Sequence, residues 1–549
     1  MLLSVNIDTK TMGSKQLMQG LNFVVEAGEK VAIIGRNGVG KTTLFHLLTG
    51  EDKDFYGEVQ IRRGTRVVST AQEHHAVGDQ TVLDYILTNL PDYTKLKHII
   101  DTYPDHMGDD LKKIEEYSSA LEHFSSLGYY TVDDDIVRSL GDYQIKEELV
   151  LGPLQRLSGG QKRFVELVRI EYSDADIALI DEPTNHMDYI AKAAFVDWFK
   201  AVKHTVVVIS HDRDVLGQVD RIIEMKDRKV SIYKGNYDAY LKQNATNTSA
   251  KMHDYEVGQR TLENLHKQIQ SVRAKKASTN KTPNPFIPLE RRLLKERDEL
   301  EKSLQKPNFW IDRESADNLS KKAGDNYEKY KAKNIRVGKT TQTEGVRELL
   351  KIEDIQLSYG QAPLFQPIYF SLQHGDRLQL IGRNGVGKTT LVRAIIDAAN
   401  GKRADTWRSG SIFTDSKLRL SVYEQEISSE VLKMTLEAAI EHIYAQLSQP
   451  VTGQTVMRLM GDYLFNPHED GRLLVEQLSG GQKARLQIIK MLANNPNLLI
   501  LDEPTNHLDL PSIEELENAL SSYNGALLYI SHDSYFAKNM GGEKIVLKA

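Results

Sequence analysis

Two apolar patterns alternate along the chain. One is strand-like: Met1-Leu-Leu-Ser-Val-Asn-Ile7 opens an alternating run, and short apolar runs follow at Val31–Ile34, Ala178–Ile180 and Val206–Ile209. The second half repeats them at Leu378–Ile381, Leu499–Leu501 and Leu527–Ile530. Runs this short, bounded by polar turns, predict buried strands. The other pattern is helical. Leu262, Leu265, Ile269 and Val272 keep helical spacing, as do Leu289, Leu293, Leu300 and Leu304 beyond Pro283, Pro285 and Pro288. The prediction is an α/β protein whose halves are joined by an antiparallel helical hairpin with its tip near Thr279 to Ile287. A helix of about 35–40 residues would reach about 50–60 Å at ~1.5 Å per residue. Lys306-Pro307-Asn308 marks a second break.

In each half one apolar strand runs into the same eleven letters, IGRNGVGKTTL, at Ile34–Leu44 and Ile381–Leu391. Each contains G-x-x-x-x-G-K-[ST] in the strand, loop, helix order that the motif requires. The candidate phosphate cradle is Gly35, Arg36, Asn37, Gly38, Val39, Gly40, Lys41, Thr42 and Thr43 in the first half. In the second it is Gly382, Arg383, Asn384, Gly385, Val386, Gly387, Lys388, Thr389 and Thr390. Glycines let successive N–H groups and the following helix N-terminus face an anion. Lys41 and Lys388 would reach the β- and γ-phosphates of a nucleotide, and the Thr42 and Thr389 hydroxyls would ligate Mg²⁺.

Further down each half, an apolar strand ends in Asp-Glu-Pro-Thr-Asn-His, at Asp181–His186 and Asp502–His507. Adjacent strand residues face opposite sides, so the two acids are expected to divide two roles. Asp181 and Asp502 would hold Mg²⁺, while Glu182 and Glu503 would orient and deprotonate the attacking water. His211 and His532 end the next strands within a shared Ser-His-Asp context and would approach the γ-phosphate from its other side. A serine-hydrolase triad is set aside, because triads are spatial and not sequential. LSGGQK at Leu157–Lys162 and Leu478–Lys483 precedes helices, so Ser158, Gly159, Gly160 and Gln161, with Ser479, Gly480, Gly481 and Gln482, offer further donors to an anion.

Spacing makes these motifs one unit copied twice. Ser158 precedes Asp181 by 23 residues, as Ser479 precedes Asp502; Asp181 precedes His211 by 30, as Asp502 precedes His532. Such constancy indicates head-to-tail duplication. The halves differ before the LSGGQ segment: 86 residues separate Gln72 from Ser158, against 54 from Gln425 to Ser479. The extra segment between Leu90 and Tyr143 reads as an enlarged helical subdomain, or else as a small protruding arm.

Charge changes the picture only in the middle. Residues 241–345 carry 22 Lys/Arg and 14 Asp/Glu, whereas the whole chain has a net charge of −6. From Lys267 to Lys295 there are eight basic residues and one acid, with Phe286 and Ile287 near the expected tip. Any nucleic-acid surface is therefore local, and phosphate contacts there would position without specifying sequence. The 549-residue length suggests three or four domains. Cysteine is absent, which excludes disulfides, zinc ribbons and iron–sulfur clusters and fits a reducing compartment. No apolar run approaches 18 residues, and the N-terminus has no basic flank or cleavage site. The expectation is a cytoplasmic protein that does not span a membrane.

The order of phosphate loop, Gln loop, LSGGQ signature, acidic strand and switch His resembles an ATP-binding-cassette nucleotide-binding domain. Two such domains, Asp-Glu-Pro-Thr-Asn-His in both, and a charged hairpin between them resemble the ABC-F family of ribosome-associated ATPases. Tyr233-Lys-Gly-Asn-Tyr-Asp-Ala-Tyr240 is similar to that family's approach to its linker. The resemblance implies cassettes at 1–240 and 347–549 and a basic helical linker at 241–346. It implies ATP and Mg²⁺ as cofactors, with Gln72 and Gln425 at the metal and the attacking water. One ATP would be closed between Lys41 and Ser479-Gly480-Gly481, the other between Lys388 and Ser158-Gly159-Gly160. It also implies a monomer that closes within itself. The closed form would bind near the ribosome's tRNA exit site, touching rRNA and directing the linker to the P-site tRNA and peptidyl-transferase centre. The hairpin's length is compatible with the members that protect ribosomes from antibiotics. One departure is visible: Tyr359 stands where the superfamily stacks adenine, whereas the first half has Met12, which lacks an aromatic face. The competing classes are the ATPase subunit of a transporter, which the basic linker disfavours, and a DNA-acting ATPase of the same superfamily.

Overall fold

The computed structural model describes residues 1–13, 15–70, 79–106, 108, 110–185, 187–277, 286–303, 348–360, 362–423, 427–449, 451–463, 465–467, 470–478, 480–506, 508–521 and 523–548. Gln72, Gln425, Ser479, Leu304, the Lys306-Pro307-Asn308 break and residues 278–285 of the expected tip lie outside these.

The strands of the first half are β1 (Leu3–Met12), β2 (Lys15–Val25), β3 (Lys30–Gly35), β4 (Tyr56–Ile61), β5 (Val67–Ser69), β6 (Ile177–Asp181), β7 (Thr205–Ile209), β8 (Arg221–Lys226) and β9 (Lys229–Lys234). β6 and β7 are buried throughout, and β3 is buried after Lys30. Aliphatic residues without a polar alternate suit strands covered on both faces. They lie side by side in a sheet of order β5-β6-β7-β3-β8-β9, parallel except for the β8–β9 pair. β1 pairs antiparallel with β2 and β4 in a second sheet. Val5, Ile7 and Leu21 from that sheet share a core with Val31 and Ile33 of β3 and Leu44 and Leu48 of the helix Lys41–Thr49.

The second half repeats this plan with β10 (Glu348–Leu357), β11 (Ile368–Gln373), β12 (Arg377–Ile381), β13 (Trp407–Thr414), β14 (Leu420–Tyr423), β15 (Leu498–Asp502), β16 (Ala526–Ile530) and β17 (Glu543–Val546). The parallel order is β14-β15-β16-β12-β17, beside an antiparallel β11-β10-β13. In both halves the strand before the phosphate loop is inserted beside strands that come much later in sequence. The carboxyl ends of β6, β7 and β3, and of β15, β16 and β12, therefore share one edge, where open parallel sheets bind ligands.

Between Leu90 and Tyr143 the first half is helical, with helices Tyr93–His106, Leu111–Ser126 and Val132–Asp142. Leu96, Ala120 and Phe124 are buried there, and the Phe124 and Tyr129 rings meet edge to face at 5.4 Å.

The chain divides into two compact units. Met1–Tyr237 with Lys333–Ala549 forms one and holds both halves; Asp238–Ala332 forms the other. The second unit is a helical hairpin built from Tyr237–Ala277 and Phe286–Ser303. At 41 residues the first helix is about 60 Å long at ~1.5 Å per residue. Leu265, Ile269, Val272 and Leu293 are buried together, with Phe286, Leu294 and Leu300 packed against them. Leu289 departs from the expected stripe and is 43% exposed. Phe286, Leu293 and Leu300 set the inner face seven residues apart, and of the flanking positions it is Glu290 that turns inward. Arg273 and Lys276 hold it at 2.8 and 2.7 Å. Phe286 and Ile287 thus begin the second helix, and Pro288 sits in its first turn, where a missing N–H is tolerated. Among the described residues no helix is long and apolar enough to cross a membrane.

Candidate active site

The two phosphate loops have the same backbone. Gly38 and Gly40 take φ of 77° and 104°, and Gly385 and Gly387 take 81° and 101°, conformations that a side chain would strain. Val39 N–H donates to Arg36 O at 3.2 Å and Val386 N–H to Arg383 O at 3.3 Å. This curl brings Lys41 Nζ to Gly35 O (2.7 Å) and to within 3.0 Å of His211 Nε2. Lys388 Nζ donates to Gly382 O (2.8 Å) and Arg383 O (3.1 Å). Burial lowers the pKa of both ammonium groups, against the pull of Glu182 and Glu503. A desolvated cation held by carbonyl oxygens gains most from an arriving anion.

Thr42 Oγ1 donates to Asp181 Oδ2 at 3.0 Å, which brings two hard oxygen atoms together. The neighbouring acids are separated differently from the expectation. β6 and β15 end at Asp181 and Asp502, and Glu182 and Glu503 lie beyond them at φ of 44° and 48°. A left-handed turn, and not strand alternation, sends each glutamate elsewhere. It costs roughly 1–2 kcal/mol. The neighbouring strand holds it: Glu182 N–H donates to Ile209 O (2.9 Å) and Glu503 N–H to Ile530 O (3.0 Å).

Glu182 Oε1 lies 3.5 Å from His211 Nε2, and Glu503 Oε1 lies 3.0 Å from His532 Nε2. Burial raises Glu182 above the usual carboxylate range and Glu503 to about 7. Burial, with the nearby lysine cation adding to it, holds His211 well below its ordinary value and His532 at about 4. The imidazoles are therefore neutral, and each glutamate keeps its proton to a higher pH than a free carboxyl does. Both Glu503 carboxylate oxygens are buried, beside the ring and backbone of His532.

Two residues that the sequence reading passed over tie the halves together. Asn37 N–H in the first phosphate loop donates to Asp509 Oδ2 at 3.2 Å, and Asn384 N–H in the second donates to Asp188 Oδ2 at 3.1 Å. The other oxygen of each acid caps its own helix, through Ser512 N–H (3.1 Å) and Ala191 N–H (2.9 Å). Asp188 and Asp509 each stand seven residues beyond Asp181 and Asp502, so the repeat register carried the signal. A cavity of ≈ 210 Å³ where the halves meet is lined by Asn37, Glu182, His211, Asn506 and His532, among others.

The signature segments are placed less completely. Ser158 and Gln161 form a capping box on the helix Gly159–Tyr172. The helix Gly480–Leu492 starts the equivalent segment, and Gln482 bonds Asp470 at 3.0 Å. Met12 and Tyr359 are 69% and 70% exposed, and Tyr359 Oη lies 3.3 Å from Thr390 Oγ1.

A glycine cradle, a buried lysine, a Thr–Asp oxygen pair and a buried carboxylate beside them fit a nucleoside triphosphate with Mg²⁺. The ABC transporter family model matches residues 18–185 and 365–506, and a second ABC transporter model matches 223–283. The chain belongs to the ABC transporter family. It is an ATPase with two ATP-binding cassettes, and the tandem arrangement agrees with the ABC-F type. It is 28% identical to YdiF of Bacillus subtilis (strain 168), named as an ATP-binding protein, over 100% of this chain and 80% of that one. It is 26% identical to the ribosome protection protein VmlR of the same organism, over 100% of this chain and 86% of VmlR. The solved structure titled RNase-L Inhibitor shares the fold with a TM-score of 0.57 at 15% identity, over 98% of this chain and 87% of the other. A complex of the archaeal ribosomal stalk protein aP1 with the archaeal ribosome recycling factor aABCE1 gives 0.55 at 16%, over 98% and 87%.

Proposed function

We propose that this tandem-cassette ATPase is an ABC-F translation factor that acts on the ribosome from the cytoplasm. The division is a cassette at 1–240, a basic linker at 241–346 and a cassette at 347–549. Lys41 and Lys388 bind ATP phosphates; Thr42 with Asp181, and Thr389 with Asp502, hold Mg²⁺; Gln72 and Gln425 complete each site. Glu182 and Glu503 are the general bases, and His211 and His532 contact the γ-phosphate. Ser158-Gly159-Gly160 and Ser479-Gly480-Gly481 close on the nucleotide of the opposite cassette, so a monomer closes within itself.

The observation that carries the ribosomal reading is a basic two-helix hairpin set between two cassettes whose phosphate loops each bond the other cassette. Eight basic residues and one acid between Lys267 and Lys295 suit a phosphate-rich RNA surface, and the name of VmlR supports the same partner. In the ATP-closed form the hairpin is directed at the P-site tRNA and peptidyl-transferase centre, and displacement of an antibiotic there is the extension of this reading.

The test is ribosome co-sedimentation of the Glu182→Gln, Glu503→Gln double variant. Retention with ATP and release with ADP are expected, and drug displacement would be measured next. A variant that binds ATP yet ignores ribosomes under both nucleotides would sink the reading and favour a transporter subunit or a DNA-acting ATPase.

A further inference from the structure

Within the contact between the cassettes, one buried network of charges is one-sided. Lys192, in the helix Tyr189–Ala201 of the first cassette, lies 3.0 Å from Asp212 and 2.6 Å from Asp214. Its ammonium also donates to the backbone carbonyl of His532, in the second cassette, at 3.0 Å. Only 9% of this side chain is exposed. Asp214 accepts from Ser534 Oγ at 2.5 Å, and Arg213 reaches Glu517 at 2.6 Å and Asp533 at 3.5 Å. Both cations of this network come from the first cassette.

The repeat cannot supply the mirror image. With Asp181 matched to Asp502, Ile513 stands where Lys192 does and Ser534 where Arg213 does. Isoleucine has no donor for the carbonyl of His211. Burial works against the charge of Lys192, but Asp212, Asp533 and Asp214 outweigh it and keep the ammonium protonated. A buried cation with acids on one side and a carbonyl on the other has little freedom to move, so it fixes the backbone it bonds. That backbone carries the ring that lies 3.0 Å from Glu503.

We propose that Lys192 is a positioning residue for the ATP site built on Lys388, Glu503 and His532, holding the His532 segment from the opposite cassette and making the two ATP sites turn over unequally. This rests on the reading that Glu182 and Glu503 each serve one site.

The experiment places Lys192→Met in the full chain in two backgrounds: Glu182→Gln, which leaves the Glu503 site working, and Glu503→Gln, which leaves the Glu182 site. Misplacing a catalytic segment should lower kcat roughly 10-fold in the first background, with no more than about a two-fold change in the second. The loss should fall on kcat, with KM for ATP changed no more than about two-fold, and Lys192→Arg, which keeps a charged donor for the His532 carbonyl, should restore the rate. Equal losses in both backgrounds, a loss carried by KM alone, or no loss in either, would overturn the proposal. Should the methionine variant not fold, Lys192→Gln, which keeps an N–H donor and loses the charge, carries the same comparison between the two backgrounds. If neither glutamate substitution alone lowers turnover, the assignment of the bases fails first, and this proposal with it.

Discussion

Glu503→Gln should stabilise the nucleotide-free protein at pH 8 while abolishing hydrolysis at its site. The carboxyl is raised from 4.5 to about 7 by burial, only partly offset by Lys388. Between those values the folded chain keeps a proton that the unfolded chain gives up. Stability contributed by the protonated acid is therefore present below pH 4.5 and lost as pH rises through 7. A displacement of about 2.5 pH units is worth about 3 kcal/mol at ~1.4 kcal/mol per unit. Its side chain is 13% exposed, so solvent screening removes little of this. His532 runs the other way: its folded value of about 4 lies below 6.5, so its stability is lost as pH falls. In the natural chain the two slopes oppose each other between these values, and glutamine unmasks that of the histidine. The assay is thermal melting in chelator without nucleotide, for the natural chain and the variant, at pH 5 and pH 8. For a cassette of roughly 200 residues, about 3 kcal/mol corresponds to ~6–12 °C. A gain at pH 8 that shrinks strongly at pH 5 is expected. An equal or lower melting temperature at pH 8, or the same gap at both values, would refute the reasoning.

Asp509→Ala removes both a helix cap and the acceptor for Asn37 N–H; a stability loss of about 1 kcal/mol and a fall in ATP turnover are expected, read by urea titration and phosphate release. Unchanged turnover would show that the bond between the cassettes has no part in hydrolysis. Glu166→Ala strips a fully buried carboxylate from Tyr85 Oη (2.6 Å) and Arg169 Nη2 (2.8 Å), leaving a buried guanidinium short of its partner. About 3–5 kcal/mol should be lost from the first cassette, seen as a lower urea midpoint, and a loss below about 1 kcal/mol would contradict the buried-pair argument.

Much of the site was legible because it is local. Gly38, Gly40, Lys41 and Thr42 are contiguous, and their motif dictates a curl that only glycines permit. The constant spacing from Ser158 to Asp181 to His211 showed one unit copied twice. Asp188 and Asp509 followed the same constancy but carried no motif letters, so their roles emerged only when a neighbouring loop supplied an N–H. The hairpin was legible from its stripes, except at Leu289, where the paired charges of Arg273, Lys276 and Glu290 decided which flank turned inward.

The sequence by itself determined the strands, the two phosphate loops, the duplicated acids and the basic linker, because each depends on neighbours in the chain or on a strict repeat. Tertiary structure decided the rest. The left-handed turn at Glu182 and Glu503 depends on the accepting carbonyls of Ile209 and Ile530 in the next strand. The raised carboxyls and lowered imidazoles depend on burial, which no spacing reveals. The one-sided charge contact of Lys192 and Arg213 depends on how two similar cassettes meet. There, positions equivalent in sequence face different partners, and a repeat that is symmetric in its motifs becomes asymmetric in its electrostatics.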